Sequence, residues 1–208
     1  MTPPVLATAD AARRLGAGGV LLLTTDTLPG LHARVDAPDA VARIIAAKGR
    51  PDGKPLLVLA ASVDQARTVT AAWTPAQSAA CARCWPGPFS LVLPARADLD
   101  PRITAGGGTV AVRVPARDDL RALLAAVGVP LVSTSANRAG EPPAVDMVAA
   151  VRAVGSHVDG TWAGTAGGGG QASAVVDLTV APFRVLREGP EPFDPEAADG
   201  PDGPHGRA

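Results

Sequence analysis

The clearest pattern in the chain is a set of short apolar runs bounded by glycine, proline or polar residues. Runs of consecutive apolar residues occur at 20–25 (VLLLTT), 56–60 (LLVLA) and 130–135 (PLVSTS). Residues 109–115 (TVAVRVP) alternate instead, with Arg113 facing away from the valines beside it. Continuous runs of this length are typical of strands buried on both faces, whereas alternation indicates a strand with two unlike faces. The pattern therefore predicts a largely covered β-sheet.

Segments with helical spacing of apolar residues lie between these runs. Helices are predicted at 8–15, 36–48, 118–127 and 145–154. Three further strands are predicted at 89–94, 174–178 and 183–186. Strands and helices alternate, although not strictly, and this order favours an α/β (α+β) domain built on a mixed sheet.

Length and composition limit the organisation of the chain. Its 208 residues suffice for one domain with a substantial core. Proline, glycine and acidic residues dominate the last twenty positions, so we predict a single domain over 1–190 and a disordered tail over 191–208. A formal net charge of −1 argues against a general affinity for nucleic acid or anionic membrane. With neither a leader-like start nor an apolar run near the ~20 residues that span a bilayer, we expect a cytoplasmic protein.

Cys81 and Cys84 form a CxxC motif that is open to a redox or a zinc interpretation. A structural zinc site usually needs four ligands, and the three histidines lie far apart along the chain. The local pattern is helical, which sets the two thiols one turn apart. We therefore expect two small buried or half-buried thiols and no metal site.

Polar residues collect where the predicted strands end. The first strand is followed by a TDT sequence, and the only two lysines, Lys48 and Lys54, precede the second strand with Arg50 between them. Ser135 and Asn137 follow a later strand. Ligands of open α/β sheets bind at strand ends, and cations with hydroxyls and an amide suit a polyanion such as a triphosphate. Any one of these clusters alone is better explained as a solvated turn, because Thr, Asp, Ser and Asn are ordinary turn residues.

Taken together and in order, the clusters resemble the YrdC/TsaC-type threonylcarbamoyl-AMP synthases. TTDTLPGL resembles that family's PTDTVYGL, and AAKGRPDGKPLLVL resembles its KxRP…KPL segment. WPGPFSLVLPA, TVAVRVPA and PLVSTSANRAGEPP are similar to its WPGPxT, VAVRVP and SxN segments. SAVVDLT followed by RVLREG resembles its closing motifs. The resemblance runs from about Gly16 to Gly189.

The resemblance implies a twisted mixed sheet with flanking helices around a basic concave cleft. It also implies an enzyme that makes threonylcarbamoyl-AMP from L-threonine, bicarbonate and ATP, releasing pyrophosphate. The product would pass to proteins that form N6-threonylcarbamoyladenosine in tRNA. Mg²⁺ is expected with the ATP, although the sequence shows no acidic metal-binding cluster.

The same resemblance assigns roles to individual residues. Lys48 and Arg50 match the family's KxR and would be catalytic, acting on bicarbonate or phosphate oxygens. Two further groups are implied for the substrates. The nucleotide-binding residues would be Arg50, Lys54, Thr109, Ser135, Asn137 and Arg187. The threonine-binding residues would be Thr27, Arg113 and Ser173, with Arg113 facing the carboxylate.

The chain departs from the family's pattern at the amino-acid end. Pro29 replaces an aromatic residue, and Ala172 and Ala174 replace polar residues beside the late serine. Two alternatives therefore stay open. One is a related enzyme that forms a carbamoyl-adenylate with a different acceptor. The other is a module of the same fold that binds double-stranded RNA or tRNA, which the low aromatic content and the net charge disfavour.

Overall fold

The computed structural model describes residues 2–49, 54–164 and 170–194. Within them, nine strands form one sheet: β1 Leu21–Leu23, β2 Gly30–Arg34, β3 Leu57–Leu59, β4 Phe89–Pro94, β5 Thr109–Arg113, β6 Leu131–Ser135, β7 Gly160–Trp162, β8 Ala174–Asp177 and β9 Arg184–Arg187. The strand order is β7-β1-β2-β6-β3-β5-β4-β8-β9. The pairs β1–β7, β3–β5 and β4–β8 are parallel, and the remaining neighbours are antiparallel. The predicted mixed sheet is confirmed.

Helices cover both faces of the sheet. In the described residues they are α1 Thr8–Gly16, α2 Pro38–Lys48, α3 Val63–Arg67, α4 Pro75–Cys84, α5 Pro101–Thr104, α6 Asp118–Val127 and α7 Met147–Val154. Leu21 and Leu23 pack with α1 and α6 on one face, whereas Leu22 packs into the larger core that contains α2. All three leucines have no solvent exposure. The first apolar run is therefore buried on both faces, as predicted.

Two strands were not predicted from the sequence. Residues 26–30 read as a turn, but β2 begins at Gly30 and pairs with both β1 and β6 near the middle of the sheet. Its sequence, GLHAR, has no β-branched residue and contains glycine and two polar residues, so local propensity conceals it. The second strand is β7, which has three residues and is held by parallel pairing with β1.

Both cysteines lie buried on α4, with side chains that face the core. Burial raises the pKa of Cys81 to about 12 and that of Cys84 to about 11, so both are neutral thiols. The helix begins at a capping box in which Thr74 accepts from Gln77 N and the Gln77 side chain accepts from Thr74 N. The prediction of two buried thiols is confirmed.

The described chain continues past the predicted boundary at residue 190. The ring of Phe193 packs edge-on against Phe89, with 6.4 Å between the ring centroids. The tail from 195 onward lies outside the described residues, so its disorder stays a prediction. None of the helices in the described ranges is long and apolar enough to cross a membrane.

Candidate functional site

A polar cavity of about 230 Å³ opens where several strands of the sheet end. The residues around it come from loops and strand ends that are far apart in sequence: Thr25, Thr27, Leu28, Pro29, Gly30, Pro55, Leu57, Arg113, Ser133, Thr134, Ser135, Pro143, Ala172, Ser173 and Arg187. Five of the residues predicted for the site are therefore brought to one cavity. They are Thr27, Arg113, Ser135, Ser173 and Arg187.

Arg113 is the central cation of this cavity. Its side chain is 2% exposed and projects from the last position of β5. Nη1 donates to Thr27 Oγ1 at 2.8 Å, and Nη2 donates to Asp26 Oδ1 at 3.0 Å. Burial lowers the pKa of this guanidinium from its ordinary value, and the Asp26 carboxylate opposes that shift. Arg113 Nε is buried and has no hydrogen-bond partner among the described residues.

Asp26 connects the loop after β1 to the end of β5. One carboxylate oxygen accepts from Arg113, and the other accepts from the backbone N–H of Ala116 at 3.0 Å. The loop after β1 is thereby attached to the segment that follows β5. An ion pair that is also hydrogen-bonded to the backbone has a defined geometry, so Asp26 fixes where the guanidinium sits.

A second cluster borders the cavity at β8 and β9. Arg187 donates from Nε and Nη2 to the carbonyl oxygen of Ser173 at 3.0 and 2.8 Å. The Ser173 hydroxyl is buried and lies 2.8 Å from the hydroxyl of Ser90 on β4. These contacts hold Ser173 and Arg187 together at the wall of the cavity.

Lys48 lies beneath the end of β6 and is not part of the cavity wall. Its side chain is buried, and Nζ donates to Ser135 O at 2.7 Å and to Asn137 Oδ1 at 2.6 Å. The Asn137 amide also donates to the carbonyls of Arg138 and Glu141, at 3.0 and 2.6 Å. Lys48 thus joins the end of α2 to the loop after β6, and of these residues only Ser135 reaches the cavity.

The remaining predicted site residues are placed differently. Lys54 is exposed and precedes Pro55, which lines the cavity. Thr109 is exposed at the first position of β5, whereas Arg113 is at the last, so the strand separates it from the cavity. Arg50 lies outside the described residues. The roles proposed for these three residues stay predictions.

Thr25, Gly30 and Ser133 line the cavity but were assigned no role in binding or catalysis from the sequence. Gly30 has no room for a side chain, because a Cβ there would lie 2.8 Å from Thr134 O and 3.0 Å from the His32 ring. Ser133 and Ser135 alternate along β6, and this period-2 spacing was the available sequence signal for Ser133.

Two of the three residues that depart from the family's motifs also lie at this cavity. Pro29 and Ala172 line it, whereas Ala174 is buried within β8. The wall at Pro29 therefore has a small ring in place of an aromatic side chain. Among the described residues, no group of three His, Cys, Asp or Glu side chains could hold a metal ion.

A family model and several curated relatives match this sequence. The Sua5/YciO/YrdC family model, described as telomere recombination, matches residues 13–189. A threonylcarbamoyl-AMP synthase of Chromohalobacter salexigens is 38% identical over 170 residues, which is 82% of this chain and 91% of the relative. One of Bacillus subtilis is 37% identical over 162 residues, which is 77% of this chain but 46% of the relative.

Solved structures match the fold over nearly the whole described chain. P. abyssi Sua5 in complex with L-threonine has a TM-score of 0.83 and 30% identity, covering 90% of this chain and 57% of its own. The chain thus spans somewhat more than half the length of that structure. E. coli YciO has a TM-score of 0.80 at 23% identity, covering 93% and 95%, and supports the fold alone. Since the family model covers most of the sequence, this chain belongs to the Sua5/YciO/YrdC family.

Proposed function

We propose that this protein is a threonylcarbamoyl-AMP synthase, which converts ATP, L-threonine and bicarbonate to threonylcarbamoyl-AMP and pyrophosphate. The observation that carries the proposal is the buried Arg113 at a small polar cavity, in a family whose relatives bear that name. The product would be consumed by proteins that transfer the threonylcarbamoyl group to adenosine in tRNA. The proposed reaction belongs in the cytoplasm, where ATP and tRNA are found.

Arg113 suits the carboxylate of an amino acid. A buried guanidinium binds a carboxylate strongly because the low local dielectric strengthens charge-assisted hydrogen bonds. Asp26 and Thr27 each bind one terminal nitrogen of Arg113, and these contacts fix the guanidinium at the cavity. Ser173, which also lines the cavity, would complete the amino-acid end.

The end of β6 suits the phosphates. Ser135 lines the cavity, its hydroxyl donates to Asn137 Oδ1 at 2.5 Å, and the buried ammonium of Lys48 donates to its carbonyl oxygen at 2.7 Å. We propose that Lys48 holds Ser135 and Asn137 in place and adds positive charge where negative charge develops on the leaving pyrophosphate. Arg187 lies at the same cavity, and Arg50, Lys54 and Thr109 would extend the nucleotide site beyond it.

The chemistry requires positioning more than covalent help. The amine of threonine adds to CO₂ derived from bicarbonate and loses a proton, giving a carbamate. A carbamate oxygen then attacks the α-phosphorus of ATP, and the bond from that phosphorus to the oxygen bridging to the β-phosphate breaks, so pyrophosphate leaves. Holding the two anions in line supplies most of the acceleration. Mg²⁺ would accompany the triphosphate as part of the substrate.

Pyrophosphate release tests the proposal directly. The complete mixture of ATP, bicarbonate and L-threonine should release pyrophosphate, and omitting any one of them should abolish release. Mass spectrometry should identify threonylcarbamoyl-AMP as the co-product. A panel of other amino acids tests the alternative acceptor, which the altered wall at Pro29 and Ala172 makes worth measuring. Binding of tRNA without turnover in any mixture would contradict the proposal and favour the RNA-binding alternative.

A further inference from the structure

His32 is a buried titratable residue beside the cavity, and the proposed reaction does not use it. It lies in β2 directly opposite Ser133 of β6, and its side chain has no solvent exposure. Nδ1 is 2.9 Å from the carbonyl oxygen of Gly30, and Nε2 is 3.0 Å from Ser133 Oγ. Both ring nitrogens are therefore engaged, and one of them contacts a side chain that lines the cavity.

The partners of His32 determine where the protons lie. A carbonyl oxygen can only accept, so Nδ1 must carry a proton and donate it to Gly30. Burial, together with the nearby charge of Arg113, lowers the pKa of His32 to about 3, although the Gly30 bond opposes the shift. The ring is consequently neutral near pH 7, and Nε2 has only a lone pair. Ser133 must then donate its hydroxyl proton to Nε2.

The hydroxyl protons of the neighbouring cavity residues also point away from the cavity. Thr25 Oγ1 is 2.8 Å from the carbonyl of Leu28 and must donate to it. Thr27 then donates to Thr25 Oγ1 at 3.0 Å and accepts from Arg113. With Ser133 directed at His32, all three hydroxyl protons point into the protein. Thr25 Oγ1 also accepts from the backbone N–H of Thr27 at 3.1 Å, so both of its lone pairs are used, whereas Thr27 and Ser133 can each still accept from a ligand. These acceptors lie next to a cation that suits a carboxylate.

We propose that His32 is a positioning residue that makes Ser133 a hydrogen-bond acceptor for a donor group of the amino-acid substrate, either its amine or its hydroxyl. The inference rests on the proposed function for the identity of the ligand. A site that offers a donor to the carboxylate and acceptors to the rest of the molecule selects amino acids over simple acids. Polar sites of this kind discriminate strongly, because a ligand that lacks the matching group leaves a buried group unpaired.

The first test is the tautomer of His32 in the unmodified protein. Long-range ¹H–¹⁵N correlation spectra near pH 7 should show a neutral ring protonated at Nδ1. Comparison with His32→Gln assigns its signals among those of the three histidines. In Ser133→Ala the Nε2 resonance should shift while the tautomer is kept. An imidazolium, or a ring protonated at Nε2, would overturn the proposal, since Ser133 would then be free to donate to the ligand.

The second test is calorimetric binding of three ligands: L-threonine, 2-aminobutyrate, which lacks the hydroxyl, and 3-hydroxybutyrate, which lacks the amine. Ser133→Ala should weaken the binding of threonine by about 3- to 10-fold, which corresponds to the usual net contribution of one hydrogen bond. The analogue without the relevant donor should bind Ser133→Ala as it binds the unmodified protein, and this result identifies the donor. Equal losses for all three ligands would show a structural defect and refute the assignment.

Substitution of His32 should change threonine binding only through its effect on the Ser133 hydroxyl. His32→Gln can still accept from the hydroxyl and should keep threonine binding within about twofold. His32→Phe removes the acceptor and should weaken threonine binding as much as Ser133→Ala does. Combining the two substitutions should cause no further loss of affinity. Additive losses would contradict the proposal. If threonine binds with this pattern but no pyrophosphate is released, the proposed function fails alone. If no amino acid binds to the folded protein, both fail.

Discussion

The ion pair between Asp26 and Arg113 gives the sharpest test of how the cavity is held together. Asp26→Asn keeps the shape of the side chain but removes the negative charge beside a guanidinium that is 2% exposed. The Asp26 carboxylate is itself 12% exposed, so water can compensate little for the lost ion pair. Breaking a buried pair by removing one partner costs about 3–5 kcal/mol. Because the asparagine oxygen still accepts one hydrogen bond, we expect the lower end, about 3 kcal/mol.

That loss of stability is large enough to measure by thermal unfolding. In a domain of this size, about 1 kcal/mol shifts the midpoint by roughly 2–4 °C, so Asp26→Asn should lower Tm by about 6–12 °C. The matched control is Asp98→Asn, which removes the same charge from a pair with Arg96 that is exposed on both sides. The control should change Tm by no more than about 2 °C.

The same variant should also affect substrate binding. A guanidinium released from Asp26 no longer faces the cavity in a fixed orientation, so the KM for threonine should rise in Asp26→Asn and stay unchanged in Asp98→Asn. Equal midpoints for the two variants would refute the claim that Asp26 anchors Arg113. A lower Tm with an unchanged KM would show that the pair stabilises the fold without orienting the substrate.

Three other outcomes are expected. Lys48→Ala should reduce pyrophosphate release on the order of 100- to 1,000-fold. Lys48→Arg should also be impaired, because the planar guanidinium cannot occupy the place of the ammonium. Near-normal turnover in Lys48→Ala would contradict the role proposed for Lys48. Cys81 and Cys84, with pKa values raised to about 12 and 11, should not react with a thiol reagent at about pH 8 until the protein unfolds, and reaction in the folded state would show them exposed. Because folding favours their neutral form, this contribution to stability is full below the ordinary thiol pKa of 9.0 and is lost as the pH rises through about 11–12. The small ring of Pro29 at the cavity wall should leave threonine and serine poorly distinguished, and a preference for threonine above roughly 200-fold in kcat/KM would show that another group fills the space.

Strands marked by continuous apolar residues could be predicted, because burial on both faces leaves a strong local signal. Leu21–Leu23 and Leu57–Leu59 are examples. The strand Gly30–Arg34 could not be, since its place in the sheet depends on pairing with strands on either side. Tertiary pairing overrides weak local propensity in such a strand.

The residues of the candidate site could be predicted in outline, because the order of the motifs along the chain indicated which residues belong together. Thr27, Arg113 and Ser173 meet at one cavity although they are far apart in sequence. The burial of Lys48 could not be foreseen, since a lysine between a helix and a glycine reads equally well as a solvated helix end. The pairing of His32 with Ser133 depends on the register between two strands, and a slip of one residue would separate them.

Gly30 limits how this cavity can be remodelled for another substrate. A methyl group at that position would press on the backbone carbonyl of Thr134 and on the His32 ring, so the neighbouring strand would have to move. Pro29 and Ala172 border the same space but belong to no strand. A library intended to change the accepted amino acid should therefore randomise Pro29 and Ala172 and leave Gly30 untouched. Substrate range at this cavity can therefore be changed at the two loop positions Pro29 and Ala172, whereas the backbone around Gly30 leaves no space for a side chain.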